Sequence, residues 1–432
     1  MSGVLIAAPS SGSGKTTITL GLLRALRNRG VALAPGKAGP DYIDPAFHTA
    51  ASGVPCLNYD PWAMRPDILR FNAAQAARQD RTFIVEAMMG LHDASVDGTG
   101  SPADLACLLD LAVILVVDCG RMAQSVAALV RGYAEHRSDI RVAGVILNKV
   151  GSDRHAKMLC DALAGIRMPV FGVVRTDSRM KLPERHLGLV QASEHGELDA
   201  FIDHAAARVS EGCDLEAILA LAGTGRPEAA AVAGLKPLGQ RIAVARDVAF
   251  AFCYEHLLLD WRRMGVEISF FSPLANEAPQ VDADAVYLPG GYPELHAGPL
   301  SDAREFHAGM LEARDRNVRI FGECGGYMTL GEGLVAADGK RYGMLGLLPL
   351  VTSFAERKRH LGYRRATPRN RSLFDGPLMA HEFHYATIVF EGDADRLFDT
   401  VDAAGETVGP AGLQRGTVAG SFMHLIDKAV TA

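Results

Sequence analysis

The sequence predicts an α/β protein built from two modules, and three observations carry this. Short apolar runs alternate with amphipathic segments, the pattern of a parallel sheet covered by helices. A length of 432 residues favours two or three domains over one. The text changes between about Ala222 and Gly239, where Gly223-Thr224-Gly225-Arg226-Pro227 and an alanine-rich stretch resemble a linker. The expected division is a first module over 1–222, a linker over 223–239 and a second module over 240–432.

The elements follow in order. Val4 to Ala8 is a short apolar run that fits a buried strand. Thr16 to Arg29 fits a helix with Ile18, Leu22, Leu23 and Leu26 on one face. Lys37 to Pro45 is too rich in Gly and Pro to be a regular element. Thr82 to Glu86, Leu111 to Asp118, Val142 to Asn148 and Val170 to Val174 are further strands. In the second module Arg241 to Ala245, Glu267 to Phe271, Ala285 to Leu288 and Val318 to Phe321 repeat the pattern. From about 340 the helical period fades and short strands with turns dominate, His381 to Phe390 among them.

Composition narrows the class. Apolar residues at 48% and charged residues at 22% suit a globular chain rather than a disordered one. A net charge of −6 offers no footprint for a phosphate backbone, so nucleic acid is not an expected partner. The purest apolar run, Leu111 to Val117, is far short of the roughly 20 residues of a membrane span. The start has no basic n-region, so no signal peptide is expected and the cytoplasm is the expected location. Seven scattered cysteines without a C-x-x-C suit a reducing compartment. A homodimer is the base-rate expectation for assembly.

The first chemical constellation is Ala8-Pro9-Ser10-Ser11-Gly12-Ser13-Gly14-Lys15-Thr16-Thr17, between the first strand and the first helix. Gly12 and Gly14 let the backbone curl around phosphate oxygens, with Ser13 between them, and the helix start adds partial positive charge. Lys15 can reach the β- and γ-phosphates of ATP, and the Thr16 hydroxyl, followed by Thr17, can ligate Mg²⁺. Pro9 replaces the first glycine of the usual pattern. A metal–nucleotide complex also needs carboxylates. Glu86 closes a strand, Asp93 follows on its loop, and Asp41 and Asp44 lie in the Gly/Pro-rich segment. Asp41 and Glu86 join Thr16 as candidate metal ligands; Asp44 fits a helix cap equally well. Asn148 ends a strand where it can pair with the edge of adenine.

The second constellation is Gly322-Glu323-Cys324-Gly325-Gly326, a strand running into G-x-C-x-G. This is the thiol counterpart of the G-x-S-x-G elbow. The start of the next helix should lower the thiol pKa. In Tyr287-Leu288-Pro289-Gly290-Gly291-Tyr292-Pro293, the N–H of Gly291 can join that of Gly325 in an oxyanion hole. The base must be a distant histidine. His424, in Gly420-Ser421-Phe422-Met423-His424, is the first choice, with His381 and His384 as alternatives. The His381-Glu382-Phe383-His384 histidines are three apart, not the four of H-E-x-x-H, so metal is not expected there. The other six cysteines are expected to be small buried residues.

These residues carry a resemblance. The first module resembles the dethiobiotin-synthetase-like P-loop ligases and the second the class I glutamine amidotransferases. With K-x-G-P-D-Y-I-D-P at 37–45, V-E-x-x-M-G-L-x-D at 85–93, Y-L-P-G-G-Y-P-E at 287–294 and G-E-C-G-G-Y at 322–327, the whole chain resembles the cobyrinic or hydrogenobyrinic acid a,c-diamide synthases of cobalamin biosynthesis. The resemblance implies an ATP- and Mg²⁺-using carbon–nitrogen ligase acting on a corrinoid acid, glutamine and ATP. It places Asp41, Tyr42, Glu86 and Asp93 at the synthetase site, Cys324 as glutaminase nucleophile and His424 as its base. Other glutaminases of this class often have an acid two residues after the histidine. Here that position is Ile426; the cobalamin branch characteristically lacks that acid, so the resemblance implies a Cys–His dyad, with the presence of an orienting group left open. Leu425-Ile426-Asp427 stands where His-Leu-His is common. Competing readings are a cobyric acid synthase-like enzyme amidating other carboxylates of the ring, and a regulatory P-loop ATPase. The latter would carry a lysine where Ser10 stands.

Overall fold

The computed structural model describes residues 3–181, 196–223 and 229–430, and the backbone of 184–185 and 188–189. Thr224 to Pro227, the head of the expected linker, lies outside the described residues. Two units emerge: residues 1–62 with 66–232, and residues 63–65 with 233–432. Among the described residues no helix is long and apolar enough to cross a membrane.

The first unit holds β1 (Val4–Ala7), α1 (Lys15–Asn28), β2 (Leu33–Ala38), α2 (Asp44–Ser52), β3 (Leu57–Tyr59), α3 (Pro66–Ala76), β4 (Thr82–Glu86), α4 (Pro102–Leu109), β5 (Ala112–Asp118), α5 (Ser125–Glu135), β6 (Arg141–Val150), α6 (Asp153–Ala164) and β7 (Val170–Arg175). A short ribbon, β8 (Glu184–Arg185) and β9 (Gly188–Leu189), and two helices, α7 (Leu198–Gly212) and α8 (Leu215–Ala222), complete it. The seven main strands pair in the order β3-β2-β4-β1-β5-β6-β7, all parallel. Strands covered on both faces read as continuous apolar runs, which is why Val4 to Ala7 and Ala112 to Val117 are wholly buried. α1 is buried beyond the single face its spacing predicts, because α7 lies over it. Arg24 of α1 bridges Asp199 and Asp203 of α7 at 2.7 and 2.5 Å.

The expectation that 37–45 lacks regular structure needs correction. Lys37 and Ala38 end β2, and Asp44 begins α2. Proline is tolerated in both places. Pro35 lies one residue before the β2–β3 pairing begins at Gly36, and Pro45 occupies the first turn of a helix, where its missing N–H has no partner to lose. Asp41, not Asp44, does the capping: its Oδ1 accepts the N–H groups of Ile43 and Asp44 at 2.8 and 3.1 Å.

The second unit starts with β10 (Arg241–Ala245), α9 (Glu255–Arg263), β11 (Glu267–Phe271), β12 (Ala285–Leu288), α10 (Ala297–Asp302), α11 (Arg304–Asp315), β13 (Arg319–Glu323) and α12 (Gly325–Leu330). Strands follow: β14 (Gly333–Val335), β15 (Arg341–Gly343), β16 (Leu350–Ser353), β17 (His360–Pro368), β18 (Leu378–His384), β19 (Thr387–Glu391), β20 (Asp395–Asp402), β21 (Thr407–Arg415), β22 (Val418–Ser421) and β23 (Met423–Lys428). The main sheet runs β11-β10-β12-β13-β22-β21-β20-β17-β18-β23. Its first five strands are parallel and the rest antiparallel. Only Phe422 separates β22 from β23, yet the two lie five places apart in that order. The antiparallel part therefore wraps round until its far edge returns beside the parallel strands. His381 to Phe390 is not one strand. Tyr385 and Ala386 break it, and its second part, β19, pairs in a separate four-stranded sheet.

Two candidate functional sites

In the first unit the loop after β1 opens on a cavity of ≈ 810 Å³ at the carboxyl ends of the strands. Gly12 and Gly14 both have positive φ, 81° and 91°. At Gly14 a β-carbon would come within 2.3 Å of Asn148 Nδ2, so only glycine closes this turn. Gly14 caps α1 with no side-chain hydrogen bond, which leaves the first-turn N–H groups facing the loop. Ser13 Oγ donates to the Ser10 carbonyl. Lys15 is 7% exposed, and its ammonium donates to Met89 O at 2.6 Å. Burial, with Lys37 adding to it, holds its pKa below the usual lysine value, against Glu86, Asp44 and Asp93.

Behind the loop lies a charge cluster that the sequence reading missed. Lys37 donates to Asp44 Oδ2 at 2.5 Å and to Glu86 Oε1 at 2.8 Å. Thr16 Oγ1 donates to the same Glu86 Oε1 at 2.8 Å, and His48 Nε2 lies 2.7 Å from Oε2. Glu86 is completely buried. Burial alone would raise its pKa; Lys37 and His48 reverse that and hold it below the carboxylate range. Asp44 goes the other way, up to about 7, through burial and the nearby Asp41. The one signal available was the β2–β4 register, which sets Lys37 opposite Glu86. Register between residues 49 apart in the sequence is invisible to local periodicity.

Asp41, Glu86, Thr16, Thr17 and Asn148 line the cavity, with Lys149, Arg175 and Lys181 supplying further positive charge. Three expected residues, Ser13, Tyr42 and Asp93, do not. Asp93 turns back to accept the Gly90 N–H at 2.7 Å, and Tyr42 is buried beside the cavity lining. Asn148 donates its amide to Ser13 O at 2.9 Å, so it braces the phosphate loop. The contiguous hard oxygens of Thr16 and Glu86, with Asp41 in the same wall, fit a small divalent cation bound together with phosphates.

In the second unit the thiol sits where the strand pairing dictates. β13 and β22 are parallel neighbours with Glu323 opposite Ser421. Cys324 leaves the end of β13, its N–H donating to Ser421 O at 2.8 Å. His424 follows Ser421 by three residues, at the start of β23. Cys324 has φ 46° and ψ −102°, a conformation a non-glycine residue holds only under constraint. Cys324 and His424 both flank Gly290, and the thiol itself lies 3.9 Å from the Phe383 carbonyl. A β-carbon built at Gly290 would lie 2.4 Å from His424 Cε1 and 3.3 Å from Cys324 Cβ. The Gly291 amide approaches the same turn, 2.9 Å from where a Gly325 β-carbon would stand. Cys324 is 4% exposed and His424 is fully buried.

The expected acidic shift of the thiol is not found. Burial pushes the Cys324 pKa well up, and the carboxylates of Glu294, Glu323 and Glu382 push the same way, against one amide bond from Gly325. α12 has six residues, too few for its start to outweigh complete desolvation. Burial, helped by His381 and His384, lowers His424 to about 3, so its imidazole is neutral and able to accept a proton.

The alternative histidines are close by. His381 pairs with His424 across β18 and β23, and the His384 ring stacks on Phe422 at 3.7 Å. His360, Glu382 and His384 offer ligand atoms within 4.8 Å of one another, but Arg364 already pairs with Glu382 at 2.7 Å. Of the other six cysteines, Cys56 and Cys119 are buried as expected. Cys160, Cys213 and Cys253 are half-buried and Cys107 is exposed, because its helix α4 turns that side outward.

Comparisons with known proteins agree along the chain. Residues 4–190 match the family model of the CobQ/CobB/MinD/ParA nucleotide binding domain, and residues 241–430 that of the CobB/CobQ-like glutamine amidotransferase domain. A hydrogenobyrinate a,c-diamide synthase from a Sinorhizobium species is 72% identical over the whole of both chains. Those of Brucella anthropi and Mesorhizobium japonicum are 59% and 48% identical, each over 99% of this chain and 98% or more of their own.

Two predictions follow from this geometry. Gly290→Ala drives a methyl group into the imidazole, and glutamine hydrolysis should fall on the order of 100-fold or more while synthesis from added ammonium persists. Lys37→Ala leaves two buried carboxylates without their shared cation. Denaturant unfolding should register a loss of about 3–5 kcal/mol, and a loss under 1 kcal/mol would contradict the cluster's role.

Proposed function

The chain belongs to the hydrogenobyrinate a,c-diamide synthase family, and from that premise we propose how its residues divide the work of amidating the a and c carboxylates of hydrogenobyrinic acid. The reaction consumes ATP and glutamine, matching the nucleotide-binding and amidotransferase domains on the one chain. The relatives' names favour this over amidation of other ring carboxylates, and favour the cobalt-free acid as substrate.

A carboxylate is a poor acyl donor because its leaving group would be oxide. Attack of a substrate carboxylate oxygen on the γ-phosphorus of ATP makes an acyl phosphate and ADP. Lys15 and the loop amides of Gly12, Ser13 and Gly14 receive the phosphates, with Asn148 holding the loop in shape. To reach them Lys15 exchanges the Met89 carbonyl for phosphate oxygens. Thr16, Asp41 and Glu86 would hold Mg²⁺, which when bound neutralises phosphate charge. Lys37 keeps Glu86 ionised for that role. Tyr42 and Asp93 act from behind, shaping the walls.

Ammonia then displaces phosphate from the acyl phosphate. Cys324 supplies it by attacking the side-chain amide carbon of glutamine. His424 takes the thiol proton and returns it to the leaving ammonia. The amides of Gly291 and Gly325 receive the oxyanion, and water releases glutamate from the thioester. A buried, neutral thiol beside a neutral imidazole keeps this centre quiet until glutamine arrives.

The observation that supports the reading most directly is the constrained Cys324 turn beside His424 on the same chain as a loop cavity built around Lys15 and Thr16. Incubation with ATP, Mg²⁺, glutamine and either hydrogenobyrinic or cobyrinic acid tests it: mass analysis should find two successive exchanges of OH for NH₂, on the cobalt-free acid. Cys324→Ala should lose glutamine-dependent synthesis and keep synthesis from ammonium. Lys15→Ala should lose both. Equal loss of both nitrogen sources in Cys324→Ala, or surviving ATP-dependent product in Lys15→Ala, contradicts the division.

A further inference from the structure

The position two residues after His424, where an orienting acid would be sought, is Ile426. It is buried, and its carbonyl lies 3.0 Å from His256 Nε2. The next residue, Asp427, has alternating strand geometry against it. It is also held elsewhere, by the Arg65 side chain and backbone N–H at 3.0 Å each. Yet one carboxylate does face the imidazole. Glu323, the residue before the nucleophile, places Oε2 3.8 Å from His424 Nδ1.

Its position is built rather than incidental. Glu323 is 2% exposed. Tyr287, on the neighbouring strand β12, donates its hydroxyl to Oε2 at 2.8 Å, and the Leu425 N–H donates to Oε1 at 3.2 Å. Tyr287 is itself fixed by stacking on Phe321 and by the edge of Trp261. The carboxylate is thus anchored at both oxygens, one of them by the residue next to the histidine it faces.

We propose that Glu323 is the positioning residue of the Cys324–His424 pair, holding the Nδ1 proton of His424 so that Nε2 is left as the base. The separation of 3.8 Å is longer than a hydrogen bond and closes when the imidazolium forms, as catalytic contacts in ligand-free enzymes do. This rests on the reading of Cys324 and His424 as the glutaminase pair. It differs from the usual arrangement in that nucleophile and orienting acid are consecutive residues, one turned to each side of the end of β13.

Burial raises Glu323 to about 8, against the lowering effect of Tyr287 and Leu425. The groups facing it are Tyr287 from β12, His424 from β23, Cys253 from the segment before α9, and Cys324 beside it in sequence. Below that pH the side chain is neutral; above it the carboxylate is available to an imidazolium. Glutamine hydrolysis should therefore rise with pH through an inflection near 8.

The test is Glu323→Gln, which keeps size and can still bond Tyr287 and Leu425 but cannot carry charge. The full chain is assayed for glutamine hydrolysis across pH, for synthesis from ammonium and for its unfolding midpoint. We expect kcat for hydrolysis to fall on the order of 100-fold, KM for glutamine to stay within about threefold, the inflection to vanish and ammonium-dependent synthesis to stay intact. A merely structural Glu323 predicts hydrolysis within twofold of the parent with its pH profile unchanged, and that result overturns the proposal. If the Gln variant unfolds early, Tyr287→Phe decides instead. Losing the hydroxyl should move the inflection to higher pH, and an unmoved profile overturns the proposal. Cys324→Ala in the same assay separates the two readings. Retained hydrolysis there removes the glutaminase assignment itself, while a neutral Glu323→Gln beside a dead Cys324→Ala removes only the positioning role.

Discussion

The parallel pairing of β13 with β22 governs the second unit's chemistry. It sets Glu323 level with Ser421, so the chain leaving β13 and the chain leaving β22 depart from the same edge of the sheet. Cys324 is the first residue off one strand and His424 lies three residues beyond the other. Neither residue's local sequence specifies the meeting. The long, mostly antiparallel excursion between them, from β14 to β21, returns the chain to β22 and makes it possible. The same ladder carries Tyr287, one strand over, into contact with Glu323.

The two units answer the problem of buried charge in opposite ways. Around the phosphate loop, ions are kept: Lys37 is shared between Asp44 and Glu86, and His48 takes the remaining oxygen of Glu86. A buried ion survives only when its lone pairs and protons are satisfied, and this cluster does so with Lys37, Asp44, Glu86, His48 and the Thr16 hydroxyl. Around Cys324, ions are suppressed. Thiol, imidazole and the Glu323 carboxyl are all driven toward their neutral forms by desolvation. One site is poised to receive a highly charged ligand; the other generates charge only during reaction, in a setting where charge interacts strongly.

Much of the architecture was legible because parallel strands buried on both faces leave uninterrupted apolar runs. Arg241–Ala245, Glu267–Phe271 and Ala285–Leu288 stand where the runs end. β2 and α2 escaped notice since Pro35, Gly36, Gly39 and Pro40 imitate a loop, and only packing against β4 reveals a strand there. Asp93 was legible as an acid near the phosphate loop but not as one that closes its own turn. The thiol's shift was misjudged for a related reason: a helix start is visible in sequence, whereas the depth at which it is buried is not.

By itself the sequence determined the features that a few consecutive residues can encode. The Gly12 and Gly14 turn, Lys15 and Thr16 at the helix start, and the cysteine between small residues at a strand end all depend on local backbone freedom and side-chain chemistry. Tertiary structure alone decided which groups those features meet. Lys37 beside Glu86, Asn148 against Ser13, His424 beside Cys324 and Glu323 facing His424 each join residues set by strand register and long-range packing. Even Glu323, adjacent in sequence to the nucleophile, acquires its orientation only from Tyr287 and the returning strand β23. The physical reason is that conformational preference acts over a few residues, while burial and electrostatic partnership are properties of the assembled sheet.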